Sequence, residues 1–290
     1  MQAKLALFAG DIKIAHTVFA LPFALLSTFL AAEGLPRAGV LGVILLCMVT
    51  ARTVAMSANR LLDAELDARN PRTARRAIPS GRLSRLFVVG ILGVCAMGFV
   101  AATWLFQFRY ANPWPLRLAA PVLLYLAAYP LLKRFTRLCH YYLGAALALA
   151  PICAWVAVRG SIDLTPVWMA GAVLLWTAGF DIIYACQDYA SDLETGVVSV
   201  PSRLGIAKAL WVSRLTHLGC VAMLLLLGWW SPLLGVLYFA GVGAAIILLI
   251  IEHNLVRPDD LSKAGLAFFT MNGIISLLLG ALGIADVLRR

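Results

Sequence analysis

The chain has 290 residues, of which 62% are hydrophobic, 13% charged and 10% aromatic, and its mean hydropathy is +0.90. Soluble domains are about 45–50% apolar and about 25% charged, so a soluble enzyme, a disordered chain and a coiled coil are excluded at once. The formal net charge of +10 comes from basic residues spread over the loops between apolar segments, a pattern of membrane topology and not of nucleic-acid binding.

A bilayer-spanning helix needs roughly 20 apolar residues at about 1.5 Å rise per residue. Nine such segments can be drawn, over residues 14–32, 39–67, 84–106, 116–133, 140–158, 166–190, 207–229, 232–252 and 265–286. They use up the length, so the expected architecture is an all-α polytopic membrane protein, with residues 1–290 forming one transmembrane unit. The first apolar run is as long as a full span and reads as retained, not as a cleaved signal peptide. Six widely spaced cysteines without a C-x-x-C pair read as small core residues.

Sixteen of the 24 basic residues fall at the N-terminus and in the loops after segments two, four, six and eight. Six fall on the other side, and Arg52 and Arg60 lie inside segment two. The excess puts the N-terminus and the sixteen-residue side in the cytoplasm and the C-terminus outside.

Charged residues at a helix centre cost about 2.5–3.5 kcal/mol on insertion scales, so intramembrane charges are functional suspects. Two stretches hold nearly all of them, RTVAMSANRLLDAELDARNPRTARRAIPSGR (52–82) and DIIYACQDYASDLETGVVSVPSRLG (181–205). In the first, Arg52, Asn59, Asp63 and Asp67 share one helical stripe. In the second, Asp181, Tyr184, Asp188 and Asp192 do the same. Both close an even-numbered segment on the cytoplasmic side and lead into a basic stretch with a proline, a faint internal repeat. Glu65 and Glu194 are out of phase with the stripes.

Carboxylates at i, i+4 repel one another, so two facing D-x-x-x-D stripes call for a cation. All-oxygen donors suit Mg²⁺, which is usually held by one or two carboxylates plus phosphate oxygens of a substrate. The flanking Arg72, Arg75, Arg76, Lys133 and Arg203 can meet such phosphates. A diphosphate on a lipid-soluble tail fits both the site and the bilayer. The alternative for any one motif is a solvated helix end paired with loop arginines; two matched copies weigh against it. Arg69, Arg75, Arg82 and Arg85 read as topology signals. A cation-coupled transporter would explain buried aspartates but not the basic clusters beside them. A CDP-alcohol phosphotransferase would need a D-G-x-x-A-R motif, which is missing.

These residues resemble the UbiA family of intramembrane prenyltransferases. The likeness rests on N-x-x-x-D-x-x-x-D (Asn59, Asp63, Asp67), the NPRT that follows (Asn70 to Thr73) and D-x-x-Y-A-x-x-D-x-x-x-D (Asp181 to Asp192). It also rests on Y-x-x-x-K (Tyr129 to Lys133) and the opening AHTVFALPFALLS, residues 15–27. The NPRT and S-x-P-x-R-L-G (Ser199 to Gly205) spellings look like the 4-hydroxybenzoate-polyprenyltransferase-like branch, with Ala15 as a departure where that branch often has an acidic residue. The resemblance implies nine helices around a central cavity open sideways to lipid. It implies Mg²⁺-dependent transfer of a polyprenyl group from a prenyl diphosphate to an aromatic acid, 4-hydroxybenzoate or a dihydroxynaphthoate, in ubiquinone or menaquinone biosynthesis. Haem-O-type and lipid-ether-type prenyl transfer stay open as alternatives.

By the same resemblance Asn59, Asp63, Asp67, Asp188 and Asp192 are the Mg²⁺ ligands. Arg72, Lys133 and Arg203 are diphosphate contacts, with Tyr129 able to donate a hydrogen bond and Tyr184 on the substrate side of the second stripe. Arg52 is placed for an acceptor carboxylate or, equally, as a buried partner of Asp181. Asp181 can orient or deprotonate the acceptor hydroxyl. His16 lines the acceptor pocket or is a structural hydrogen-bonder; His140, His217 and His253 carry no assigned role. The expected partners are the two substrates and the lipid bilayer, with no nucleic acid and no protein partner, in a prokaryotic inner membrane.

Overall fold

The computed structural model describes residues 2–12 and 19–290; the expectation for His16 lies outside the described residues. Among those residues the chain is helical, with eight helices long and apolar enough to cross a membrane and a shorter apolar helix, Leu21–Ala32. Each of the nine segments read from hydropathy meets one of these helices. The first is described only from Phe19, and its helix has Pro22 in the first turn, where a missing N–H costs nothing.

In chain order the helices are α1 (Gln2–Asp11), α2 (Leu21–Ala32), α3 (Ala38–Leu62), α4 (Ala64–Arg69), α5 (Arg85–Tyr110), α6 (Trp114–Leu132) and α7 (Cys139–Arg159). Then follow α8 (Leu164–Ala185), α9 (Tyr189–Thr195), α10 (Val200–Leu204), α11 (Ile206–Trp230), α12 (Val236–Leu255), α13 (Ala264–Leu266) and α14 (Asn272–Arg289). Caps match sequence chemistry: the Ser84 hydroxyl accepts from the Phe87 N–H at the start of α5, and the Asp163 carboxylate accepts from the Thr165 N–H at the start of α8.

Helix α8 packs between α7 and α11, while α3 packs on α5 and α6, and α2 on α7 and α14. A close seam is set by Gly144 on α7. A Cβ there would come within 2.2 Å of the Leu174 carbonyl oxygen on α8, so only glycine allows this approach. The seam matters because α7 and α8 carry His140 and Asp181. The main core joins α2, α7, α8, α11, α12 and α14 around Trp176, Leu227, Tyr238 and Leu279. Large apolar side chains such as Met97, Leu124, Leu215, Leu218 and Ile247 point outward, a density that a soluble surface does not carry and a lipid-facing belt requires.

Three departures from the drawn segments bear on the site. First, α1 was not anticipated. Second, the segments read as 39–67 and 166–190 are each broken near the C-terminal end. Asp63 joins α3 to α4 at φ −93°, ψ −1°, and Asp188 joins a 3₁₀ turn to α9 at φ −96°, ψ 6°. Both pivots occupy the same bridge conformation, common at active-site residues, so the repeat read from spacing extends to the backbone. Third, a π turn at Ala267–Met271 precedes α14. The buried Asn272 amide donates to the Ala267 and Phe268 carbonyls there and to Glu252 Oε1, satisfying carbonyls that the π turn leaves short.

Candidate active site

The broken ends of α3–α4 and α8–α9 face one another across a cavity of about 320 Å³, lined also by the 70–76 loop and the end of α6. On the two sides of the kink the four-residue step is kept at Asp63 itself: its N–H donates to the Asn59 carbonyl at 3.0 Å, and the Asp67 N–H donates to the Asp63 carbonyl at 2.7 Å. Asn59, Asp63 and Asp67 therefore keep their shared stripe and line this cavity together. Asp181, Tyr184, Asp188 and Asp192 line it from the other side. After Asp192, Gly196 takes a φ of +73°, the left-handed turn that glycine adopts freely. It brings Ser199 back, and the Ser199 hydroxyl donates to Asp192 Oδ2 at 2.8 Å.

Every carboxylate of the two motifs is engaged. Lys133 Nζ donates to Asp63 Oδ2 at 2.7 Å, as does Asn59 Nδ2 at 2.8 Å. Arg76 NH1 reaches both Asp67 oxygens at 2.8 Å. Arg72 grips Asp188 with two prongs, Nε to Oδ1 at 2.8 Å and NH2 to Oδ2 at 2.6 Å, while NH1 donates to the Tyr184 hydroxyl. Asn70 Nδ2 adds a third contact to Asp188. The fork geometry of a guanidinium suits carboxylate and phosphate alike. Asp63 Oδ1 is buried with no hydrogen-bond partner.

The described charged lining comprises Asp63, Asp67, Asp181, Asp188 and Asp192 against Arg52, Arg60, Arg72, Arg76 and Lys133. Five anions meet five cations, so a bare polyanion would upset the balance. As they stand, the described residues include no group of three or more His, Cys, Asp or Glu gathered as a metal cluster; the oxygen donors are dispersed around one cavity, each held by its partner.

Deeper in the bundle a second, apolar cavity of about 200 Å³ lies between α3, α5, α6 and α7. Arg52, Met56, Tyr129, Leu143 and Leu147 line both cavities. Phe19, Phe180, Tyr184 and Phe268 form an aromatic wall on the polar side, with Phe268 4.3 Å from Tyr184 and 5.1 Å from Phe180 between ring centroids. Arg72 lies over the Tyr184 ring at 5.1 Å, so the wall and the basic cluster meet.

Of the residues singled out by sequence, Arg203 is exposed on α10 and stands off the cavity lining. Asn59 has its carbonyl oxygen engaged by Arg60 NH1 at 2.7 Å. Asp181, for which Arg52 was one expected partner, takes His140, with Nδ1 to Oδ2 at 2.7 Å. The Val200 N–H donates to His140 Nε2 at 3.2 Å, which leaves Nδ1 as the protonated nitrogen facing Asp181. Sequence reasoning missed His140, and its position at the start of a span gave no periodic signal. It also treated Arg76 as one basic residue among several, although its spacing of nine from Asp67 spans a loop and carries no helical register.

Residues 20–274 match the UbiA prenyltransferase family. The chain belongs to that family. It is therefore a prenyltransferase, and the transporter reading falls. Among curated relatives, the UbiA-family chain is 30% identical to the 4-hydroxybenzoate octaprenyltransferase of Tolumonas auensis over 89% of its length and 87% of the relative's. It is 34% identical to the mitochondrial 4-hydroxybenzoate polyprenyltransferase of Arabidopsis thaliana over 67% of its length and 46% of the relative's. Among solved structures, a UbiA homolog from Aeropyrum pernix K1 superposes with a TM-score of 0.84 at 28% identity, covering 95% of this chain and 99% of that one. A UbiA homolog from Archaeoglobus fulgidus bound to DMAPP and Mg²⁺ shares the fold, with a TM-score of 0.70 at 18% identity over 97% of this chain and 98% of that one.

Proposed function

We propose that this UbiA-family enzyme transfers a polyprenyl group from a prenyl diphosphate to an aromatic acid, of the 4-hydroxybenzoate or dihydroxynaphthoate type, with Mg²⁺ as cofactor. The observation that carries the reading is the pairing of two carboxylate motifs with basic side chains around one cavity that continues into an apolar one. The names of the curated relatives support the acceptor class. The loop charges support a cytoplasmic N-terminus and active site in an inner membrane.

The residues fit the ion. Asp63, Asp67, Asp188 and Asp192 supply only oxygen donors, the preference of Mg²⁺, and Asp63 Oδ1 is a buried acceptor still without a partner. These four would hold it, and when bound it offsets charge building on the departing diphosphate. Lys133, Arg72 and Arg76, now seated on the carboxylates, are the groups free to turn to the phosphate oxygens. A diphosphate brings about three negative charges, which basic side chains released from their aspartates are suited to bind.

As the allylic C–O bond breaks, its electron pair leaves with the diphosphate, and the aromatic ring of the acceptor supplies the pair that forms the new C–C bond; the same ring carbon then loses its hydrogen as a proton, which restores the aromatic ring. The wall of Phe19, Phe180, Tyr184 and Phe268 keeps water from the allylic cation and sets ring faces toward it. Arg52, at the junction of the two cavities, is placed to read the acceptor carboxylate. Asp181, held by His140, is placed to orient the acceptor hydroxyl and take its proton.

Purified enzyme given Mg²⁺, polyprenyl diphosphates and a panel of aromatic acids with their amides tests this reading by mass spectrometry of the products. A C-prenylated aromatic acid is expected, with the matching amide used about 10²-fold less well, as one buried charged contact is lost. Equal use of acid and amide would remove the carboxylate-reading role, and prenylation of a haem or a glycerol phosphate alone would replace the acceptor class.

A further inference from the structure

Helix α1 ends at Asp11, far from both motifs in sequence, yet this carboxylate ties three segments together. Its Oδ2 accepts from Arg60 Nε at 2.9 Å, and its backbone oxygen accepts from Arg60 NH2 at 2.7 Å. Its Oδ1 accepts from the Ala77 N–H at 2.9 Å, in the loop that also carries Arg72 and Arg76. The pair is nearly closed to solvent, with side-chain exposures of 8% for Asp11 and 5% for Arg60.

The third contact of Arg60 explains the arrangement. Its NH1 donates to Asn59 Oδ1 at 2.7 Å, which leaves the Asn59 nitrogen to donate to Asp63 Oδ2 at 2.8 Å. The opposite amide orientation would set NH₂ against a guanidinium and an oxygen against a carboxylate, so the chain of donors has one consistent direction. Asp63 Oδ2 then holds two donors, Asn59 and Lys133, and Oδ1 is the oxygen left over.

We propose that Asp11 is a positioning residue which, through Arg60 and Asn59, presents Asp63 Oδ1 to the divalent ion. This rests on the Mg²⁺ reading above and gives Asn59 the task of orienting Asp63 in place of direct ligation. Supporting residues of this kind orient the ligands of a metal, and their loss typically lowers metal affinity about 10–100-fold.

The test is Mn²⁺ binding by electron paramagnetic resonance to the full chain in detergent, with a non-reactive prenyl thiodiphosphate present. Melting temperatures and the KM for the aromatic acceptor are measured in parallel. Asp11→Asn should weaken Mn²⁺ binding about 10–100-fold and leave the acceptor KM within about 2-fold, while Asp11→Glu recovers part of the affinity. Wild-type Mn²⁺ affinity in Asp11→Asn, with only the melting temperature lowered, would overturn the proposal and leave Asp11 as an anchor for α1. If Asp11→Asn does not fold, Arg60→Lys decides alone: it keeps the charge opposite Asp11 but cannot span Asp11 and Asn59 together, so unchanged Mn²⁺ binding there overturns the proposal. Wild-type protein that binds no Mn²⁺ would overturn the metal reading, and this proposal with it.

Discussion

Asp63→Ala should lower kcat/KM for prenyl transfer by about 10³-fold, equivalent to ~4 kcal/mol of transition-state stabilisation. Two effects act together. The substitution deletes Oδ1, the buried oxygen available to the ion, and it strips Lys133 and Asn59 of their shared acceptor. Asp63→Asn separates the two, since the amide keeps the shape and an oxygen acceptor but loses the charge. Both variants should fail alike in a steady-state assay while keeping a cooperative thermal transition. An Asp63→Asn enzyme with near-normal turnover would mean that the carboxylate is only a counter-ion for Lys133.

Arg72→Ala should raise the KM for the prenyl diphosphate and lower kcat/KM by about 10²-fold or more, with the acceptor KM little changed. Together with Asn70, which also donates to Asp188, Arg72 joins the NPRT loop to the second motif, through its fork on Asp188 and its contact with the Tyr184 hydroxyl. Arg72→Lys should recover little, because a lysine is a point charge and cannot span two oxygens. Kinetics with each substrate varied in turn checks this. A variant affected equally toward donor and acceptor would show that Arg72 only fastens the two motifs together.

The helices were legible because hydropathy alone sets which segments can leave water, and the eight long helices and α2 lie where that pattern puts them. The motif aspartates were legible because their spacing of four survives the kink, the Asp67 N–H still reaching the Asp63 carbonyl. What periodicity could not carry were contacts between segments remote in sequence. Asp11 meets Arg60 across 49 positions, His140 meets Asp181 across 41, and Asn70 meets Asp188 across 118. None of these pairs shares a helix, so no repeat of 3.6 announces them. Arg203 shows the converse: it follows the second motif closely in sequence, yet the turn at Gly196 and the short helix α10 leave it exposed. The bridge conformation shared by Asp63 and Asp188 gives the internal repeat a physical meaning, two pivots of the same kind facing one cavity.

If both aspartate motifs serve one metal–diphosphate site, anomalous diffraction from crystals grown with Mn²⁺ and a prenyl thiodiphosphate will locate the ion between them. Mn²⁺ is expected in the cavity between Asp63 and Asp188, with Lys133 and Arg72 drawn from these carboxylates onto the diphosphate. Metal bound elsewhere, or a diphosphate seated in the cavity with both ion pairs intact and no metal beside it, would rule out a shared metal–diphosphate site.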